Sequence, residues 1–205
     1  MSITYPLTVP SNNIASMTMS LAFAVGSSIS PFTFQQQVAG FAGERWAINF
    51  GPPAMVREDA EEWIAMALAL RGTIGTFLAS PPDAPGPRGV GTGTPLVKGA
   101  GQSGHSLLID GATPSTTNWL RKGDYFQLGT GSTARLHKLV KDANSDGSGE
   151  ATLEFMPALR YQPADNAPLV LINPVGLFRM TSNEPAWTVD TNKHYRFSFT
   201  AVEAL

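Results

Sequence analysis

Cysteine is absent from the 205 residues. That excludes a disulfide framework, a thiolate metal site and a cysteine nucleophile at once. Charge is scarce as well. Asp, Glu, Lys and Arg make up 15% of the chain, low for a soluble protein, and the net charge is −2. Much of the surface is therefore uncharged polar, or covered by partners. The few bases are mixed among acids, so no basic run points to nucleic acid. No apolar run approaches the length of a membrane span. The N-terminal "MSITYPLTVPSNN" lacks the positive region and apolar stretch of a signal peptide. The expectation is a soluble chain made in a cytoplasm, with no membrane partner.

What is present favours β-structure. The 42% hydrophobic content can fill one large core or two small ones. Twenty glycines and sixteen prolines break the chain into short runs, which suits strands and turns better than long helices. "SMTMSLAFAV" (16–25) alternates, with Met17, Met19, Leu21, Phe23 and Val25 on one face. "PFTFQQQV" (31–38) and "ERWAINFG" (44–51) repeat the alternation, so three antiparallel strands are expected. One helix is expected over about 56–71. Val56, Ala60, Trp63, Ile64, Ala67, Leu68 and Arg71 fall at helical spacing, and Gly72 is a natural stop. Glu58, Asp59, Glu61 and Glu62 crowd its first turns, where the macrodipole favours negative charge. "TIGTFLA" (73–79) reads as a further strand.

"SPPDAPGPRGVGTGTP" (80–95) is a linker or rigid crossing by composition. Its "VGTGTP" lacks the Lys-Ser/Thr end and the following helix of a phosphate loop. Five strand-like runs follow: "SLLIDG" (106–111), "GDYFQLGTG" (123–131), "ARLHKLVKD" (134–142), "EATLEFMP" (150–157) and "APLVLINP" (167–174). They suit a small OB-like β-barrel. "VGLFRMTS" (175–182) and "HYRFSFTAVEAL" (194–205) resume the earlier style, and a two-strand tail cannot stand alone. The expected fold is mainly β. Residues 1–83 and 174–205 form one β domain with a helix, and 84–173 form an inserted OB-like domain.

The search for chemistry is thin. "DANSDGSGE" (142–150) sets Asp142, Asn144, Asp146 and Gly147 at EF-hand positions 1, 3, 5 and 6. Position 12 is Leu153, and the flanks alternate as strands, so the stretch reads as a polar hairpin turn, with weak cation binding as the alternative. His105, His137 and His194 have no metal-ligand spacing. Ser103 in "GQSGHS" only loosely resembles a nucleophile elbow, which leaves a hydrolase using Ser103 and a distant histidine as a minor class. Trp119, Tyr125 and Phe126 are the aromatics by which a small barrel could stack on sugars or bases, although adjacent Tyr125 and Phe126 must point to opposite faces. No cofactor and no catalytic set is expected.

In their order, several stretches resemble the distal tail proteins of flexible-tailed bacteriophages. These are "RWAINFGPP", the helix "REDAEEWIAMALALRG" and "TFLASPP", then "LRKGDYFQLG", "ARLHKLVKD" and "GEATLEFMPALR", and finally "YRFSFTAVEAL". They span most of the chain. The resemblance implies a homohexameric ring built through the terminal segments, with the inserted domain on its outside. The ring would join the tail tube protein to the tail tip hub or baseplate. DNA would cross the lumen without specific binding. The protein would sit in the virion tail after assembly in the host cytoplasm. The chain departs from the pattern in its long Pro/Gly-rich linker. The alternatives are another tail-tube or tail-tip component, or a carbohydrate-binding module on the tail.

Overall fold

Alternation and turn residues set the elements of the chain, seen in a computed structural model that describes residues 3–10 and 16–205. The reading of the N-terminal stretch as no signal peptide falls partly on residues outside that range. The first strands are β1 (Leu7–Thr8), β2 (Ser16–Ile29) and β3 (Gln36–Gly51). The helix α1 (Arg57–Ala69) and β4 (Phe77–Ala79) follow. Next come β5 (Gly93–Val97), β6 (Ser106–Ala112), β7 (Tyr125–Leu128), β8 (Arg135–Leu139), β9 (Ala151–Met156) and β10 (Leu169–Val170). The chain closes with β11 (Gly176–Met180), β12 (Trp187–Val189), β13 (Tyr195–Phe197) and β14 (Phe199–Glu203). The protein is mainly β, with one α-helix among the described residues.

The strands make two six-stranded sheets and a hairpin. The first sheet runs β1-β4-β11-β14-β3-β2, the second β10-β7-β8-β9-β6-β5, and β12 pairs with β13 alone. In chain order β5 to β10 lie between β4 and β11, which are neighbours in the first sheet. The second sheet nearly closes into a barrel. Leu96 bridges Pro168, the Val97 N–H donates to Ala167 O (2.9 Å) and the Asn166 N–H to Val97 O (2.8 Å).

Three local expectations change. Residues 31–35 are a turn, not strand: the Ser30 N–H donates to Gln35 O and the Phe34 N–H to Ser30 O, both 2.9 Å. The run of three strands is therefore one long hairpin, with Phe32 and Phe34 at its tip. The strand read at 73–79 shortens to Phe77–Ala79. The barrel has six strands, because the end of the expected linker forms β5 against β6. Gly93 and Pro95 read as loop residues, yet such residues are tolerated at an edge strand with a bulge, as between Gly93 and Leu96.

The helix buries Ala60, Trp63, Ile64, Met66, Ala67 and the following Leu70. Val56 and Leu68, expected in that stripe, are exposed, and Met66 takes the buried place. Trp63 is fully buried beside Phe50, Phe197 and Phe199, with ring centroids 6.0, 6.0 and 6.1 Å away. Among the acids, Glu58, Glu61 and Glu62 face solvent and Asp59 is half-buried. Arg57 pairs with Glu61 on the exposed face, an interaction of small value. Arg71 takes the left-handed conformation (φ 54°) that ends the helix, and Gly72 continues it.

Polar pins hold the sheet and barrel together. The Trp46 indole N–H donates to Leu136 O of β8 (2.8 Å), and the Val175 N–H donates to Gln127 Oε1 of β7 (2.8 Å). Glu44 of β3 accepts the Ala158 N–H (2.8 Å) and lies 3.5 Å from His105 Nε2. Glu203 of β14 accepts Arg160 through both carboxylate oxygens (3.2 and 2.7 Å) and the Trp46 backbone N–H (3.2 Å).

His137 lies inside the barrel, stacked on Phe126 (5.1 Å) and edge-on to Phe155 (4.9 Å). Its Nδ1 sits 2.8 Å from Pro157 O, so the neutral ring carries its proton there. Burial, helped by Arg160 and Arg135 and opposed by the Pro157 bond, lowers its pKa to about 4. The unfolded chain takes up this proton near pH 6.5, the folded chain near 4. The neutral ring's contribution is complete above pH 6.5 and is lost as pH falls toward 4, by roughly 3 kcal/mol at the end. Urea unfolding at pH 7 and pH 4 should show this loss, and His137→Gln should remove the corresponding part of it.

Candidate functional site

The second and third strands run on past the sheet that they belong to. β14 pairs with β3 only over Ala47–Phe50, while β2 and β3 stay paired to Ile29↔Gln36. A bulge between Ala22 and Ala24 marks where the ribbon leaves the body. From Ala24↔Phe41 to Ile29↔Gln36 the arm extends by about 17 Å at the usual rise of a strand. One face carries Val25, Ile29 and Val38, continuing the side of β2 that packs on the core through Met17, Met19 and Leu21. The other face carries Phe41, whose ring lies 3.5 Å from where a Cβ at Gly26 would stand. A shallow groove of about 480 Å³ runs there past Ser28, Gln37 and Ala39. Phe23, Val25, Ile29, Val38 and Phe41 are all exposed, and Phe32 and Phe34 at the tip are 92% and 80% exposed.

This arm carries no charge. The chain has no Asp, Glu, Lys or Arg before Glu44. Among the described residues β2 is also an outermost strand of its sheet, with no strand paired along its other side. Edge strands of soluble proteins are usually shielded by lysine, proline or a covering element. A two-stranded ribbon is marginally stable alone in water. The arm has the chemistry of a surface meant to be covered. Sequence reading found its strands but passed over the arm, and the tract free of charge before Glu44 was the available signal.

The residues singled out from sequence have other roles. Trp119 and Phe126 are fully buried in the barrel core, so the expected stacking platform is corrected. The Trp119 indole N–H is spent on Thr92 O (2.8 Å). Tyr125 is half-buried against the first core, 6.4 Å from Trp46, with its hydroxyl 2.9 Å from Lys138 Nζ and that cation over its ring. On β7, Phe126 fills the barrel while the adjacent Tyr125 turns to the first core, because neighbouring residues of a strand face opposite sides.

The 142–150 stretch is a turn. Asp146 Oδ1 accepts the N–H groups of Ser148 (2.8 Å) and Glu150 (2.9 Å), which hold its carboxyl below the usual range. Asp142 Oδ1 accepts the Lys122 N–H and Asn144 Oδ1 the Asn118 N–H, both at 2.7 Å. These oxygens, which the alternative reading would have turned toward a cation, fasten neighbouring loops. Leu153 is buried in β9. Among the described residues no group of three or more His, Asp or Glu converges on one point.

Other titratable groups are structural too. Asp124 is buried and accepts N–H groups from Arg88 (2.9 Å), Gly89 (3.0 Å) and Arg121 (2.8 Å), which clamps the Pro/Gly-rich crossing to the barrel. Ser103 is exposed between β5 and β6, while His137 is closed to solvent. His194 lies 3.7 Å from Asp190, whose carboxylate closes the β12–β13 turn through the Asn192 and His194 N–H groups. No protein-family model matches the chain, and no curated protein matches it.

Proposed function

We propose that the chain is a structural protein of a bacteriophage tail, a distal tail protein. Six copies assemble into a ring that joins the tail tube to the tail tip hub or baseplate. The work is assembly and not catalysis. The observation that carries this reading is the uncharged, apolar arm with its open edge strand. Such a surface is stabilised by contact with other protein and is a liability without it. The order of segments, which resembles that family, supports the same reading. So do the rigid pins between sheet and barrel, since an adaptor must transmit position from one neighbour to the next. Wherever the arm faces a lumen, it offers no Lys or Arg to passing phosphates, which suits DNA transit without retention.

Quantitative mass spectrometry of purified particles tests the assignment. A ring adaptor is expected in about six copies per particle, the number of one cyclic ring. Many copies would make it a tube component, and absence from particles would overturn the virion role.

A further inference from the structure

Two cations flank one glycine where the Pro/Gly-rich crossing lies against the barrel. We propose that the pocket between them binds a phosphate group, either free or carried as a monoester. The proposal stands apart from the assembly role.

The pocket has a volume of about 350 Å³, and Asp83, Arg88, Gly123, Asp124, Tyr125 and Lys138 line it. Gly123, at φ 94°, leaves the space open between the cations. A Cβ placed there would stand 3.0 Å from a terminal nitrogen of Arg88 and 3.9 Å from Lys138 Cε. One small group over Gly123 therefore reaches both charges. Like charges held this close repel until something negative comes between them.

The chain holds these cations without fully neutralising them. Lys138 Nζ donates to the Tyr125 hydroxyl (2.9 Å) and lies 4.5 Å from the centre of its ring. Among the described residues no carboxylate pairs with it. A lysine is ordinarily free to wander; this one is fixed in advance and keeps donors to spare. Arg88 Nε reaches Asp124 Oδ1 at 3.4 Å, and one terminal nitrogen donates to Lys122 O. The rest of its fork is left for a ligand. Asp124 is already met by the N–H groups of Arg88, Gly89 and Arg121 at 2.9, 3.0 and 2.8 Å, so the backbone takes up much of its charge. Asp83 stands exposed at the rim and pairs with neither cation.

Charge selects the ligand. A phosphate monoester carries about two negative charges near pH 7 and several acceptor oxygens, so it bridges a guanidinium and an ammonium together. A carboxylate brings one charge and leaves the second cation unmet. Two other barrel pockets of similar size do not offer this. One sets Asp142, Asp146, Glu150 and Glu154 around Lys141, and the one beside Tyr161 has no charged lining.

Calorimetric titration at low salt with inorganic phosphate, glycerol 3-phosphate and acetate tests the site, with urea midpoints to show that each variant is folded. The parent should bind the phosphates, and acetate about tenfold more weakly. Lys138→Met should weaken phosphate binding by about tenfold or more, the worth of one charge-assisted bond, and Lys138→Arg should keep most of it. Lys141→Gln, in the acidic pocket, should stay within about twofold of the parent. Asp83→Asn reads the site without touching the Tyr125 contact, and it should tighten binding by about threefold. Binding of both phosphates assigns the pocket to a phosphate carried on a larger molecule; inorganic phosphate alone assigns it to the free ion. No heat at millimolar ligand overturns the site. Equal losses in Lys138→Met and Lys141→Gln, or an Asp83→Asn protein that binds no tighter, overturn it too. Acetate as tight as glycerol 3-phosphate overturns the choice of phosphate.

Discussion

Replacing Glu203 with alanine is expected to cost about 3–5 kcal/mol of stability, the range for breaking one half of a buried ion pair. Glu203 is 4% exposed and is gripped from two sides. Arg160, itself 13% exposed at its side chain, meets both carboxylate oxygens, and the Trp46 backbone N–H meets one of them. Alanine would leave a guanidinium and an N–H facing a space that water enters poorly. Arg160 comes from the segment after β9, and Glu203 ends β14, so the pair also fastens barrel to sheet. Replacing both with methionine should recover most of the loss, because no charge is then stranded. Urea unfolding of the single and double variants measures this. A single variant within 1 kcal/mol of the parent would mean that the pair is not holding the junction.

Trp63→Ala is expected to cost a further 3–5 kcal/mol, the range for removing a large aromatic from a packed core. The indole is fully buried between the helix and the first sheet, among Phe50, Phe197 and Phe199. These rings come from α1, β3, β13 and β14, so one cavity would loosen the helix, the sheet and the terminal hairpin together. Thermal unfolding should fall by well over the few degrees that a surface change produces. The milder Trp63→Phe should lose less than half as much, since it keeps part of the ring contact. A Trp63→Ala protein as stable as the parent would contradict this packing.

Both cores were legible in the sequence wherever period and burial coincide. Met17, Met19 and Leu21 and then Trp46, Ile48 and Phe50 alternate because one face of their strands meets the helix. Trp63 and Ile64 fall at helical spacing for the same reason. Alternation could not show where the sheet stops supporting the hairpin. Phe23, Val25 and Val38 keep the period of a half-buried strand although nothing among the described residues buries them. Phe32 and Phe34 also alternate, yet they sit in a turn fixed by Ser30. The aromatics Trp119 and Phe126 looked available only because composition does not say which way a barrel strand faces. The acids at 142–146 looked like ligands because the same residues that bind cations also build turns. The pocket over Gly123 had no sequence signal, since Arg88 and Lys138 meet only through the packing of the crossing on the barrel.

Light scattering behind size exclusion over a range of concentrations, with negative-stain images of each peak, tests the assembly role most directly. Six-fold rings with an open centre are the expected result, either for the protein alone or once purified tail tubes are added as a template. A monomer at every concentration that also leaves the tube ends uncapped would contradict it.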